Sequence, residues 1–245
     1  MSMNRRQLLQ TAGAGWIAAL APLGSRALGA AHAPKKVLFF TKSSGFQHSA
    51  ITRKGNELGH AERVLTEIGK AHGFDVTATK DGSVFEPGSI DQFDIIAFYT
   101  TGDLTKPGTD KQTPMSQSGE KAFYDAIKSG KGFVGFHCAT DTFGHHRGQG
   151  MNDPFIQLIG GEFMGHGAQQ VAKIDVINAD FPGAKAFGQS FELNDEWYAQ
   201  RNLANDLHVI LLHDTKGMKG KDYERPAYPQ TWARTHGSGR VFYTS

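Results

Sequence analysis

Four short apolar runs punctuate the first half of the chain: "KVLFFT" (36–41), "FDVTAT" (74–79), "FDIIAFYT" (93–100) and "KGFVGFH" (131–137). Short apolar runs bounded by polar segments read as strands buried on both faces. Between them the period changes. In "HAERVLTEIGKAHG", Ala61, Val64, Leu65 and Ile68 recur at helical spacing and Gly73 is placed to end the helix. "SQSGEKAFYDAIKSGKG" repeats the arrangement, with Ser116 or Ser118 as cap, Ala122, Phe123 and Ile127 on one side and Gly130 as terminator. Strands alternating with helices predict an α/β fold on a parallel sheet covered on both faces. The second half differs: "VAKIDVI" (171–177), "DLHVILLHD" (206–214), "AYPQTWART" (227–235) and "GRVFYTS" (239–245) are strand-like, and only "NDPFIQLIG" (152–160) is helical. The expected sheet is therefore mainly parallel, with some antiparallel strands in its C-terminal half. No repeat or linker divides residues 34–245, which read as a single domain. The sequence stops at Ser245, at the end of a predicted strand, so a further C-terminal segment is expected.

Composition changes this picture mainly at the N-terminus. The 245 residues are 39% hydrophobic and 20% charged, which suits a globular core. Residues 1–33 combine Arg5 and Arg6 with the apolar "TAGAGWIAALAPLG" and Arg26. This is the pattern of a cleaved export signal, and the paired arginines resemble the twin-arginine type. The apolar stretch is shorter than the roughly 20 residues that span a bilayer. The mature protein is accordingly expected to be periplasmic or secreted, with no membrane span. Arg5, Arg6 and Arg26 are the only charges in the leader, so the formal charge of +2 for the whole chain becomes −1 without it. A nearly neutral body offers no electrostatic case for nucleic acid. Cys138, the one cysteine, forms no intramolecular disulfide, and the core must carry the stability.

Ligands of open parallel sheets bind beyond the carboxyl ends of the strands. Three polar clusters are predicted there: "TKSSGFQHSA" (41–50), "TTGDLT" (100–105) and "HCATD" (137–141). Ser43, Ser44 and Gly45 lack the spacing and lysine of a phosphate-binding loop, so a nucleotide site is not supported. His48 reads either as a polar residue at a helix start or as a site residue. His137 is costly at the end of a buried strand unless paired or used, and Asp141 could orient it or bind a substrate hydroxyl. In a strand–elbow–helix turn the reactive position is the centre, which "GFHCA" gives to His137; Cys138 follows one residue late and reads as a small buried residue. "GGEFMGHG" (160–167) adds Glu162 and His166 in an expected glycine-rich loop, and "NDEWYA" (194–199) adds Glu196 beside Trp197 and Tyr198. A carboxylate beside exposed aromatics suits a sugar; the alternative for 194–199 is an ordinary loop with one buried aromatic. His145 and His146 are expected to face solvent.

In order along the chain, "VLFFTKSSGFQHSAI", "GKGFVGFHCATDTF", "GGEFMGHG", "DEWY" and "GRVFYTS" resemble the ThuA-like (trehalose utilisation) family over about residues 35–245. The resemblance implies a flavodoxin-like three-layer fold, similar to class I glutamine amidotransferases. It places His137 where an amidotransferase has its nucleophile, so glutaminase activity is not expected. It also implies a Leu-Gly-His stretch after the last strand, which this sequence lacks. The implied role is in carbohydrate catabolism, on a 3-keto-glycoside or related sugar, with a sugar dehydrogenase as possible pathway partner. Acid/base or metal-assisted chemistry would suit such a substrate. His137, His48 and Glu196 are the catalytic candidates; Ser44, Asp141, Trp197 and Tyr198 are the substrate contacts. His48, His137 and His166, with Glu196, could hold a divalent zinc, manganese or iron ion. The competing expectations are a non-catalytic carbohydrate-binding protein with a degenerate amidotransferase-like cleft, and a cysteine-dependent amidohydrolase.

Overall fold

The computed structural model describes residues 33–245; the expected export signal lies in the segment outside them. β1 (Lys35–Phe40) pairs in parallel with β2 (Phe74–Thr79) on one side and β3 (Ile95–Phe98) on the other, and β4 (Gly132–Phe136) adds next to β3. β11 (Gly239–Thr244) continues the parallel half beside β4. Beyond it the direction alternates through β10 (Tyr228–His236), β9 (His208–Asp214), β6 (Gln170–Val176) and β7 (Ser190–Asp195). The nine-stranded order is β2-β1-β3-β4-β11-β10-β9-β6-β7, so the expected parallel half and antiparallel extension are both present.

Alternation along the strands builds two faces. Val37, Phe39, Ile95 and Ala97 pack with Ala61, Leu65 and Ile68 of α1 (His60–His72). Leu38, Phe40, Ile96 and Phe98 turn the other way, onto Phe123 and Ile127 of α2 (Gln117–Lys128). A four-residue helix, α3 (Gly144–Arg147), precedes α4 (Pro154–Ile159), whose Phe155, Leu158 and Ile159 join the second face. Helices thus cover both sides of the parallel strands, giving three layers. Phe98 lies at the centre of an aromatic cluster, stacked on Phe123 with centroids 5.0 Å apart and edge-on to Phe133 at 5.2 Å. Offset and edge-on pairs of this kind each add about 0.5–1.5 kcal/mol beyond area burial.

The caps follow the sequence. Ser116 accepts a bond from the Gly119 amide, Asp153 caps α4, and Gly73 closes α1 in the left-handed region. Two expectations are corrected. The stretch expected as a glycine-rich loop is a strand, β5 (Glu162–His166), and "NDEWYA" is mostly strand, the end of β7 and the start of β8 (Tyr198–Arg201). β5 and β8 pair antiparallel as a separate two-stranded sheet. Glu162 is fully buried there, bound by Arg201 and Asn202, which makes it a structural residue of that ribbon.

His213 on β9 is fully buried, its Nδ1 lying 2.8 Å from the Tyr228 hydroxyl. Burial pushes its pKa from 6.5 down to about 4, with Asp214 opposing only in part. The unfolded chain therefore binds a proton between those values that the folded chain refuses. Stability is expected to fall as pH drops from 6.5 toward 4, by on the order of 3 kcal/mol from this residue. Urea midpoints across that range should show it, and His213→Gln should flatten part of the slope; an unchanged slope would assign the effect elsewhere.

Candidate active site

Three segments leave the carboxyl edge of the sheet and hydrogen-bond to one another before their side chains diverge. The Ser44 and Gly45 amides donate to the Thr101 carbonyl, the Gly102 amide donates to the Asp141 carbonyl, and the Phe143 amide donates to the Gly102 carbonyl. Gly102 permits this closeness: it has φ of +78°, and a Cβ there would stand 2.4 Å from the Gly45 nitrogen. The predicted convergence of the three loops is therefore realised in backbone contacts.

His137 begins a short 3-10 turn after β4 with φ of +43°, a sparsely populated region for a residue with a Cβ. The Tyr243 hydroxyl of β11 donates to the His137 carbonyl at 2.6 Å. Gly135, two residues earlier, has no room for a side chain: a Cβ would meet Ile159 at 2.9 Å and Tyr243 at 3.1 Å. The elbow expected from "GFHCA" is present, with His137 at its tip. Cys138 is fully buried, and burial raises its thiol pKa well above the ordinary value. That geometry removes the cysteine-dependent reading.

His48 arrives from the first loop, just before the 3-10 turn Ser49–Ile51, and makes no side-chain cap there. Its ring centroid is 5.1 Å from that of His137. Glu196, between β7 and β8, completes the cluster: its Oε2 is 3.6 Å from His48 Nε2 and 3.5 Å from His137 Nε2, while Oε1 is 3.6 Å from His166 Nδ1. Tyr198 follows Glu196 on β8, its hydroxyl 3.2 Å from His48 Nε2 and its ring 4.3 Å from His137. Burial first, then the neighbouring His137, lowers the His48 pKa to about 4, so its ring is neutral near pH 7. Glu196 is held at about 2, first by hydrogen bonding to His137 and then, against burial, by the surrounding imidazoles. A neutral ring and an ionised carboxylate thus meet in a site whose side chains are mostly shielded, with Glu196 25% exposed.

Donor atoms of His48, His137 and Glu196 all lie within 4.8 Å of one another, a set able to hold a metal ion. Two ligands of a tetrahedral zinc, each about 2.1 Å from it, would be roughly 3.4 Å apart, and the 3.5 and 3.6 Å separations match that. His166, expected as a ligand, is outside this set and approaches only the other oxygen of Glu196; its Nδ1 also lies 3.0 Å from the Gly167 carbonyl. His48 Nδ1 is buried with no hydrogen-bond partner. Metal-bound imidazoles ordinarily donate their second nitrogen to an acceptor, so this ring is better suited to carrying its proton on Nε2, toward Glu196 and Tyr198.

The other expected contacts divide. Trp197 is corrected: it is buried, its indole nitrogen donates to the Gln170 carbonyl at 2.8 Å, and its ring packs on His213 at 4.8 Å. Trp197 lies in the connection between β7 and β8; Tyr198, at the start of β8, is equally buried and meets the cluster through its hydroxyl beside His48 and its ring against His137, so neither is the exposed aromatic expected. Asp141 Oδ1 lies 3.1 Å from His146 Nε2, so His146 is engaged rather than simply solvent-facing. Ser44 Oγ donates to the Lys106 carbonyl at 3.2 Å and serves the loop itself. Lys42 is a surprise of the first loop: fully buried, it pairs with Asp110 at 2.9 Å and anchors the next connection beneath the site. Nothing in the pattern "TKSSG" distinguishes it from a surface lysine. A depression of about 690 Å³ lies among Lys35, Ile95, Gly132 and Arg240, at the opposite edge of the sheet, and no histidine lines it.

The family model ThuA, described as trehalose utilisation, matches residues 36–245. The chain belongs to the ThuA family. Its fold is similar to that of a ThuA-like protein from Bacteroides uniformis ATCC 8492, with a TM-score of 0.63 at 21% identity over 90% of this chain and 85% of the other. A ThuA-like protein from Parabacteroides merdae ATCC 43184 gives 0.63 at 16% identity, over 86% and 78%. No curated protein matches the sequence. Membership in a family described by trehalose utilisation supports a carbohydrate-related role.

The burial of Cys138 has a direct consequence. The native protein should resist thiol reagents at pH 8 and take up one equivalent only when denatured, read by mass spectrometry. Rapid labelling of the native protein would contradict the buried-thiol geometry.

Proposed function

We propose that this ThuA-family chain is an exported carbohydrate-processing enzyme that cleaves a 3-keto-glycoside or related sugar. The observation that carries the proposal is the meeting of His48, His137 and Glu196 at the carboxyl edge of the parallel strands. A ketone at carbon 3 acidifies the proton on carbon 2. Its removal forms an enolate across carbons 2 and 3, and collapse of that enolate breaks the bond from carbon 1 to the leaving oxygen. The oxygen takes a proton as it departs, the one that the base removed from carbon 2. Water then adds to carbon 1 of the resulting unsaturated ketone and restores the sugar.

The residues divide these tasks. His137, at the strained elbow, is the base, with Glu196 orienting the ring and stabilising the imidazolium it becomes. His48, neutral near pH 7, donates from Nε2 to oxygen where negative charge develops, as neutral imidazoles can. The Tyr198 hydroxyl, 3.2 Å from that nitrogen, holds the donor in place. Asp141 would accept a substrate hydroxyl. A divalent zinc, manganese or iron ion held by His48, His137 and Glu196 would supply Lewis acidity toward the ketone. The buried, unpartnered Nδ1 of His48 favours the acid/base form of the reading. A periplasmic location and a dehydrogenase that supplies the keto-sugar complete the proposal.

Elemental analysis of the mature protein after extensive dialysis separates the two forms. The acid/base form predicts no stoichiometric metal; about one equivalent, lost in His137→Ala, would establish the metal-assisted form. In either form His137→Ala should lower keto-sugar turnover by 10²-fold or more, while thermal unfolding shows that the variant is folded. Unchanged turnover would end the assignment. Saturable sugar binding without product would instead make the chain a binding protein.

A further inference from the structure

Phe46 is the sole aromatic among the strongly exposed large hydrophobic side chains of the described residues, at 72%. Single exposed apolar residues are common and need no explanation. Two observations separate this one. First, its ring stands edge-on to His48, centroids 5.0 Å apart, so it forms the outward continuation of the catalytic cluster. Second, the backbone that carries the ring is fixed. The Phe46 carbonyl accepts a 2.7 Å bond from Thr101 Oγ1, the preceding amides of Ser44 and Gly45 donate to the Thr101 carbonyl, and the Gln47 side chain accepts from Thr109 Oγ1 at 3.0 Å. Every residue from Ser44 to Gln47 is tied to a neighbouring loop, and the phenyl is the part left in solvent.

The depth of the neighbouring groups says what could use it. The side chains of His48 and His137 are 12% and 14% exposed, so a ring undergoing reaction sits low in the cleft. Phe46 is one ring's width further out. A flat apolar surface fixed beside an anionic and imidazole-lined site is matched by the C–H face of a pyranose whose hydroxyls remain in water. We propose that Phe46 forms an outer subsite that stacks on the leaving sugar, the unit beyond the ring that reacts at His137. This rests on the carbohydrate reading above and assigns the aromatic contact that Trp197, being buried, does not provide.

The test compares a two-ring and a one-ring 3-keto-glycoside, trehalose oxidised at one carbon 3 and methyl 3-keto-α-glucoside, by calorimetric titration of the wild type, Phe46→Ala and Phe46→Trp. The expected result is that Phe46→Ala lowers the preference for the two-ring ligand about tenfold, while Phe46→Trp keeps it. An equal preference in all three proteins overturns the subsite and leaves the catalytic reading standing. Equal preference together with a changed sedimentation coefficient for Phe46→Ala also overturns it, and gives the ring to a contact between copies. Absence of binding to the wild type removes the carbohydrate reading and the subsite with it. Binding without product removes the chemistry alone, because the preference is still measured.

Discussion

The bonding between the loops after β1, β3 and β4 is the constraint on which the site depends. Irregular backbone is expensive to bury unless its amides and carbonyls find partners. Here the partners are the other loops: Thr101 serves Ser44 and Gly45, and Gly102 links to both Asp141 and Phe143. The parallel sheet is in effect extended by isolated bridges, Ser43 to Thr101 and Gly102 to Thr142. That extension carries His48 and His137, 89 residues apart in sequence, to within one ring contact.

Electrostatics then gives the cluster its character. A carboxylate among three imidazoles stays ionised, and an imidazole largely shielded from water stays neutral. Environments that push titratable groups apart are how proteins assign acid, base and donor roles at one pH. The same reasoning explains why Glu162, also buried with a carboxylate, belongs elsewhere. Its oxygens are occupied by Arg201 and Asn202, which fixes the β5–β8 ribbon and leaves little for a ligand. Glu62 is similar, spent on Thr41, Arg53 and the Gly59 amide at the base of α1.

Backbone strain marks the elbow. His137 adopts a positive φ without being glycine, and the surroundings hold it there: Tyr243 binds its carbonyl, and Gly135 lets β4 pack closely under the turn. Tyr243 is itself held by Gln200 and lies 3.3 Å from the Thr140 hydroxyl, so the elbow rests on a buried polar network contributed by β8, β11 and the turn. Buried polar networks of this kind specify one arrangement at the cost of tolerating few substitutions.

Apolar periodicity by itself determined the four parallel core strands, the helices on either side and the later antiparallel strands, because burial on two faces or one leaves a direct imprint on residue order. It also placed His48 and His137 as polar residues beyond strand ends, whereas Glu196 stood out only as a carboxylate beside aromatic residues. Its failures share a cause. β5, β7 and β8 are short, glycine-containing or polar, and only their pairing reveals them as strands. Trp197 and Tyr198 look equivalent in sequence and are equally buried, yet the first bonds to Gln170 and packs on His213 while the second brings its hydroxyl to His48. Lys42 and Phe46 invert the usual expectation, the charge buried against Asp110 and the phenyl left in solvent on a backbone tied to Thr101. Which side of a strand faces the core, and which distant group pays for a buried charge, are properties of neighbours that only the tertiary structure brings together.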